Sequence, residues 1–151
     1  ATMIEQNINK PGSSNTDEIR TVSTEGSKVV IAEDENINRL FVKRILQKER
    51  YEVFEAKEGE SALALVYKEL PDMVILDLKL PKRDGLSIVR ELFESPRTTN
   101  IPILIISGRS PEEIEKEELP QNVIGFVSKP VDSSTLLEYI KSSLNRKVNH
   151  E

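Results

Sequence analysis

The chain has 151 residues, of which 37% are hydrophobic and 31% charged, values of a single domain large enough to enclose a core. It holds no cysteine and one histidine, His150, next to last, which excludes disulfides, thiolate chemistry, histidine triads and multi-histidine metal sites. A net charge of −5 argues against a nucleic-acid-binding surface, and no apolar run reaches membrane-spanning length, so the expectation is a cytoplasmic domain with no membrane contact. What is left is carboxylate chemistry, helped by hard metals, hydroxyls and lysines.

Residues 1–27, rich in Asn, Ser, Thr and Gly, read as a flexible tail or linker, followed by a domain over 28–146 and a short tail over 147–151. From Lys28 a regular alternation begins. Val29 to Ala32 is a short apolar strand. The segment from Asn36 to Glu49 carries Ile37, Leu40, Phe41, Ile45 and Leu46 at helical spacing, which predicts a first helix with that stripe inward. Tyr51 to Glu55 alternates as a less buried strand. Residues 59–70 form a second helix, with Ala62, Leu63, Leu65 and Val66 inside. Met73 to Leu76 is a third strand with nothing polar in it. Asp84 is positioned to cap a third helix bearing Leu86, Val89, Leu92 and Phe93. Ile103 to Ile106 is a fourth strand. Ser110, Pro111, Glu112 and Glu113 read as the cap, N1 proline and acidic first turn of a fourth helix. Val123 to Val127 is a fifth strand, and Asp132 caps a last helix with Leu136, Leu137, Ile140 and Leu144 on one face. There are no internal repeats.

Five strands alternating with five helices predict a doubly wound parallel α/β sheet with right-handed crossovers. In such sheets the site lies beyond the carboxyl ends of the strands. There the first strand gives Glu33 and Asp34, the third Asp77, the fourth Ser107 and the fifth Lys129 before Pro130. Singly, each has an ordinary explanation as a helix start or a turn. Together, every central strand ends on a polar group suited to one reaction. Three carboxylates within about 4–6 Å repel one another, and an oxygen-liking cation relieves this. Mg²⁺, which takes one or two carboxylates plus phosphate oxygens, suits the set, and Mn²⁺ can substitute. Asp77 is then a carboxylate nucleophile of the aspartyl-phosphate kind, with Ser107 and Lys129 stabilising the phosphoryl group.

"VVIAEDE", "VILDLKLPKRDG", "ILIIS" and "GFVSKPVD", in this order, resemble the signature of response-regulator receiver domains of two-component signalling, over about residues 28–145. The resemblance implies a flavodoxin-like (βα)₅ fold with strand order 2-1-3-4-5 and Asp77 as phosphoacceptor. It implies Mg²⁺ bound directly by Asp34, Asp77 and the main-chain carbonyl of Lys79, with Glu33 acting through water. Ser107 and Lys129 would bind the phosphoryl group, Ser107 and Phe126 would form the switch, and Lys129-Pro130 would be cis. Glu33 stands where Asp is commoner, Ser107 for Thr and Phe126 for Tyr. Lys79 and Arg109, two places beyond Asp77 and Ser107, would flank the path of the attacking water and tune phosphoryl lifetime, with Lys82 and Arg83 adding charge nearby.

The implied partners are a sensor histidine kinase or a histidine phosphotransfer protein, with a phosphorylation-dependent homodimer as a further state. "NINRLFVKRIL" is similar to receivers attached to hybrid sensor kinases, which leaves a stand-alone receiver and a piece of a hybrid kinase both open. Three other classes compete. An aspartate-nucleophile phosphatase needs an acid two residues after the nucleophile, where this chain has Lys79. A flavin module needs a Ser/Thr/Gly-rich phosphate loop after the first strand, where this chain has "EDENIN". A binding-only pseudo-receiver would not need all five site residues.

Overall fold

A computed structural model describes residues 23–149. Strands β1 (Lys28–Ala32), β2 (Glu52–Ala56), β3 (Met73–Asp77), β4 (Ile103–Ser107) and β5 (Val123–Ser128) alternate with helices α1 (Asn36–Lys48), α2 (Gly59–Glu69), α3 (Gly85–Glu94), α4 (Pro111–Glu115) and α5 (Ser133–Asn149). The five strands form one sheet in the order β2-β1-β3-β4-β5, every pair parallel. β3 and β4 are buried at every residue, which is why they read as unbroken apolar runs.

Alternate strand residues feed two cores. Val30, Val74, Leu76, Ile103 and Ile105 pack with Ala62, Val66, Ile88, Val89, Leu92 and Ile114 of α2, α3 and α4. Val29, Ile31, Ile75, Leu104 and Ile106 pack with Val42 and Leu46 of α1 and Leu136, Ile140 and Leu144 of α5. Helices thus cover both faces, leaving the rim of strand ends open for chemistry.

The structure departs from the sequence expectations at several helices. Of the stripe expected inward on α1, Leu46 is buried and Ile45 partly so, but Ile37, Leu40 and Phe41 are exposed, Ile37 at 83%, and Arg39 and Val42 are buried in their place. Phe93 of α3 also faces out at 37%. Asp84 occupies the cap position of α3, but its side chain makes no capping hydrogen bond. α4 is a single turn. Ser110 Oγ accepts from Glu113 N while a Glu113 carboxylate oxygen accepts from Ser110 N, a complete capping box. A long continuation is barred by Pro120, which lacks an amide proton. Asp132 does cap α5, its Oδ2 accepting from Thr135 N at 2.9 Å.

Residues 1–22 of the expected tail lie outside the described residues. Residues nearer Lys28 are tied to the domain: Gly26 N donates to Arg50 O at 2.9 Å, and the Thr24 and Tyr51 hydroxyls are 3.0 Å apart. At the other end α5 continues to Asn149, through part of the expected C-terminal tail, whose last two residues lie outside the described residues. No helix among the described residues is long and apolar enough to cross a membrane.

Candidate functional site

The parallel register brings the ends of β1, β3, β4 and β5 to one rim. Asp77 is the last residue of β3, opposite Ile106, and Ser107 is the last of β4, opposite Ser128. The Lys129 amide donates to Ser107 O at 2.8 Å, which continues the ladder one residue past β5. The Lys129-Pro130 peptide is cis, as the sequence resemblance implies. Glu33 N donates to Ala56 O at 3.0 Å, carrying the β1–β2 pairing into the acidic pair.

Side chains from three strands meet at Lys129. Its Nζ donates to Asp77 Oδ2 at 2.6 Å and lies 2.9 Å from Glu33 Oε1 and 3.5 Å from Glu35 Oε1. Asp77 Oδ1 accepts from the Lys79 amide at 3.0 Å, and Glu33 Oε2 from the Glu35 amide at 3.0 Å. Burial opposes the charge on Lys129, but its hydrogen bond to Asp77 and its ion pair with Glu33 prevail and hold the ammonium above the ordinary lysine range. Burial pushes the Glu33 carboxyl up, and the Glu35 amide and Lys129 only partly offset it.

Carboxylate oxygens of Glu33, Asp34 and Asp77 all lie within 4.8 Å of one another. Glu33 and Asp77 are buried and Asp34 is exposed. The Glu33 Oε1 atom is buried without a hydrogen bond, its contact with Lys129 being one of charge rather than of direction. Hard oxygen donors, excess negative charge and an unsatisfied acceptor together fit a small divalent cation.

Beside this cluster opens a cleft of about 670 Å³ lined by Leu78, Lys79, Asp84, Ser107, Arg109 and Glu113 among others. Ser107 is buried, and its Oγ accepts from the Arg109 amide at 3.0 Å, which orients the hydroxyl oxygen at the cleft wall. Lys79 and Arg109 are exposed on the rim. Lys82 and Arg83, expected to add charge there, are drawn away. Lys82 pairs with Glu58 at 3.4 Å, while Arg83 bonds to Ser87, Glu60 and Glu91. Phe126 lies on β5 away from the carboxylates, half-buried against the core that includes Ile114 of α4.

Two participants escape a sequence reading. Glu35 resembles any solvated residue before a helix, yet it is the third acid facing Lys129. Arg39 has the look of a surface residue, and it is buried behind Glu33. Only its place one turn into the helix after an acidic pair could have marked it.

The chain can be set beside known proteins on these grounds. The family model of the response regulator receiver domain matches residues 29–141. Response regulator PleD of Caulobacter vibrioides is 29% identical over 116 residues, which are 77% of this chain and 26% of that protein. The chain thus spans about a quarter of the length of the curated relatives it matches. Chemotaxis response regulator CheY4 of Vibrio cholerae is 28% identical, with a TM-score of 0.71 over 78% of this chain and 98% of that one. The receiver domain of sensor histidine kinase PA1611 from Pseudomonas aeruginosa PAO1, solved with a magnesium ion coordinated in its active site cleft, shares the fold. It is 19% identical, with a TM-score of 0.71 over 79% of this chain and 98% of that one.

Proposed function

The chain belongs to the response regulator receiver domain family of two-component signalling, and from that premise we propose that Asp77 accepts a phosphoryl group from the phosphohistidine of a cytoplasmic sensor kinase or phosphotransfer protein. The observation that carries this reading is the environment of Asp77: a buried carboxylate at a strand end, 2.6 Å from Lys129 Nζ and within 4.8 Å of two further acids. No role in packing requires such a cluster, which costs desolvation and repulsion at each carboxylate.

Glu33, Asp34 and Asp77 are the residues that would hold Mg²⁺, which offsets the repulsion between an anionic donor and an acidic rim. The ion in the PA1611 receiver cleft supports this assignment by analogy of fold. An Asp77 oxygen forms the O–P bond as the N–P bond to the partner's histidine breaks. Lys129 exchanges its contact with Asp77 for one with a phosphoryl oxygen, and the Ser107 hydroxyl donates to another. Receiver domains are regulatory phosphoacceptors, and in this reading the chain is a switch that water resets.

Incubation of the chain with acetyl phosphate and Mg²⁺ is expected to add one phosphoryl group by intact mass. Asp77→Asn, which keeps the shape and removes the nucleophile, is expected to add none, and excess EDTA to prevent the reaction. Equal labelling of Asp77→Asn would refute the assignment.

A further inference from the structure

Arg39 stands in the first turn of α1 and is only 8% exposed. Its guanidinium reaches acceptors from three separate parts of the chain. Nε donates to Glu55 Oε1 of β2 at 3.1 Å, and Nη2 to Asn36 Oδ1 of α1 at 2.7 Å. Nη1 donates to the main-chain carbonyl of Glu33 at 3.0 Å. That carbonyl belongs to the planar peptide joining Glu33 to Asp34, so a bond to it fixes the unit from which both carboxylates project. The amide of Glu33 is already fixed on the other side by Ala56 O. The Asp34 carboxylate is exposed, and no hydrogen bond or ion pair among the described residues restrains it, so its placement rests on its backbone.

Charge alone gives no reason for this arrangement. A cation behind the acidic pair repels a divalent ion and weakens its binding. A guanidinium matched by three acceptors does something else: it is a rigid fork whose partners fix one another's positions. We propose that Arg39 is a positioning residue for the cation site, clamping the Glu33–Asp34 peptide so that both carboxylates face Asp77 before an ion arrives. The proposal rests on the reading that Glu33, Asp34 and Asp77 hold a divalent cation. Lysine cannot take over the role, because one ammonium cannot meet acceptors on Glu33, Glu55 and Asn36 together.

Loss of positive charge and loss of the clamp act in opposite directions, so the sign of the effect separates them. Mn²⁺ is the probe, with free ion counted by electron paramagnetic resonance in the presence of the full chain. Arg39→Gln and Arg39→Lys are expected to weaken Mn²⁺ binding about tenfold, and Asn36→Ala, which removes one anchor of the fork at an exposed position, about two- to threefold. Adding ethylguanidinium to Arg39→Ala is expected to recover part of the loss. Circular dichroism shows which variants are folded. Folded Arg39 variants that bind Mn²⁺ as tightly as the unmodified chain, or more tightly, overturn the clamp and leave the cation site standing. If the Arg39 variants do not fold, unchanged binding by Asn36→Ala overturns it. An unmodified chain that binds no Mn²⁺, or binding unaltered by Asp34→Ala, removes the cation site itself and the clamp with it.

Discussion

Lys79 and Arg109 show how far a residue's neighbours decide what its charge can do. Four cations sit close in sequence to Asp77 and Ser107, but Lys82 and Arg83 are engaged by Glu58, Glu60 and Glu91. Lys79 and Arg109 line the cleft, and neither can accept a proton from water or orient it as an acid would. They are therefore expected to shield the aspartyl phosphate. Each is exposed, so its contribution stays below about 1 kcal/mol, and Lys79→Ala or Arg109→Ala is expected to shorten the phosphoryl half-life by at most about fivefold. Lys82→Ala and Arg83→Ala are expected to leave it unchanged. Loss of radiolabel over time checks all four, and equal or longer lifetimes in both rim variants would remove the shielding role. At Glu33 the governing factor is burial, which raises its carboxyl above the ordinary value. Between the unfolded and the folded value, the folded state binds more protons at this carboxyl than the unfolded state does. The stability this gives is present below the unfolded value and is lost as pH rises through the folded one. A bound proton also competes with a cation, so Mn²⁺ affinity is expected to rise with pH through the range in which Glu33 titrates, more steeply than in Glu33→Gln. A flat profile would exclude Glu33 from the site.

At the scale of elements, what was legible depended on whether a segment had one interpretation or two. β3 and β4 had one, since an unbroken apolar run between turn residues fits a strand buried on both faces. α1 had two. Ile37, Leu40 and Phe41 share one helical face, Val42 and Leu46 another, and the expected stripe draws on both because it assigns Arg39 to solvent. The inner face contains the arginine because its donors are matched at Glu33, Asn36 and Glu55, a fact of tertiary contact that no periodicity encodes. The acids and Lys129 were legible for the opposite reason: strand ends are fixed by the sheet, so residue type and position sufficed. Gly85 tests how tightly an element can hold the site. It is the first residue of α3, and a Cβ there would lie 2.6 Å from Leu78 Cα and 2.9 Å from Asp77 O. Both are backbone atoms and cannot swing away. Gly85→Ala is expected to cost about 1–3 kcal/mol in urea unfolding with an unchanged m-value. The chain that must yield carries Asp77, so Mn²⁺ binding is expected to weaken in the same variant. Full stability with full Mn²⁺ affinity would mean that α3 does not set the position of the phosphoacceptor.

Over the whole molecule, the two cores make the sheet a rigid partition, and the rim beside β4 and β5 is where movement costs least. β5 is an edge strand, only partly buried over most of its length, and α4 beside it is one turn with a single buried residue, Ile114. β4 and β5 are coupled at the site, since Ser107 O accepts from Lys129 N and Ser107 pairs in register with Ser128. A displacement of Ser107 toward a phosphoryl oxygen therefore pulls on the strand that carries Phe126. In the proposed switch the ring would move toward the α4 side, where, lacking a hydroxyl, it would gain no hydrogen bond. Packing alone would then separate the two positions, which would favour a shift in population over a complete exchange. Beryllofluoride, a phosphoryl mimic, is expected to shift amide resonances across residues 107–130 together with the ring signals of Phe126. Resonances of β2 and the buried face of α2 are expected to stay in place, because the rigid core lies between them and the moving rim. In Ser107→Ala the mimic still binds Lys129 but has no hydroxyl to draw in, so the shifts at Phe126 are expected to vanish while those at Asp77 remain. Shifts at Phe126 that survive in Ser107→Ala would show that the signal leaves the site by another route.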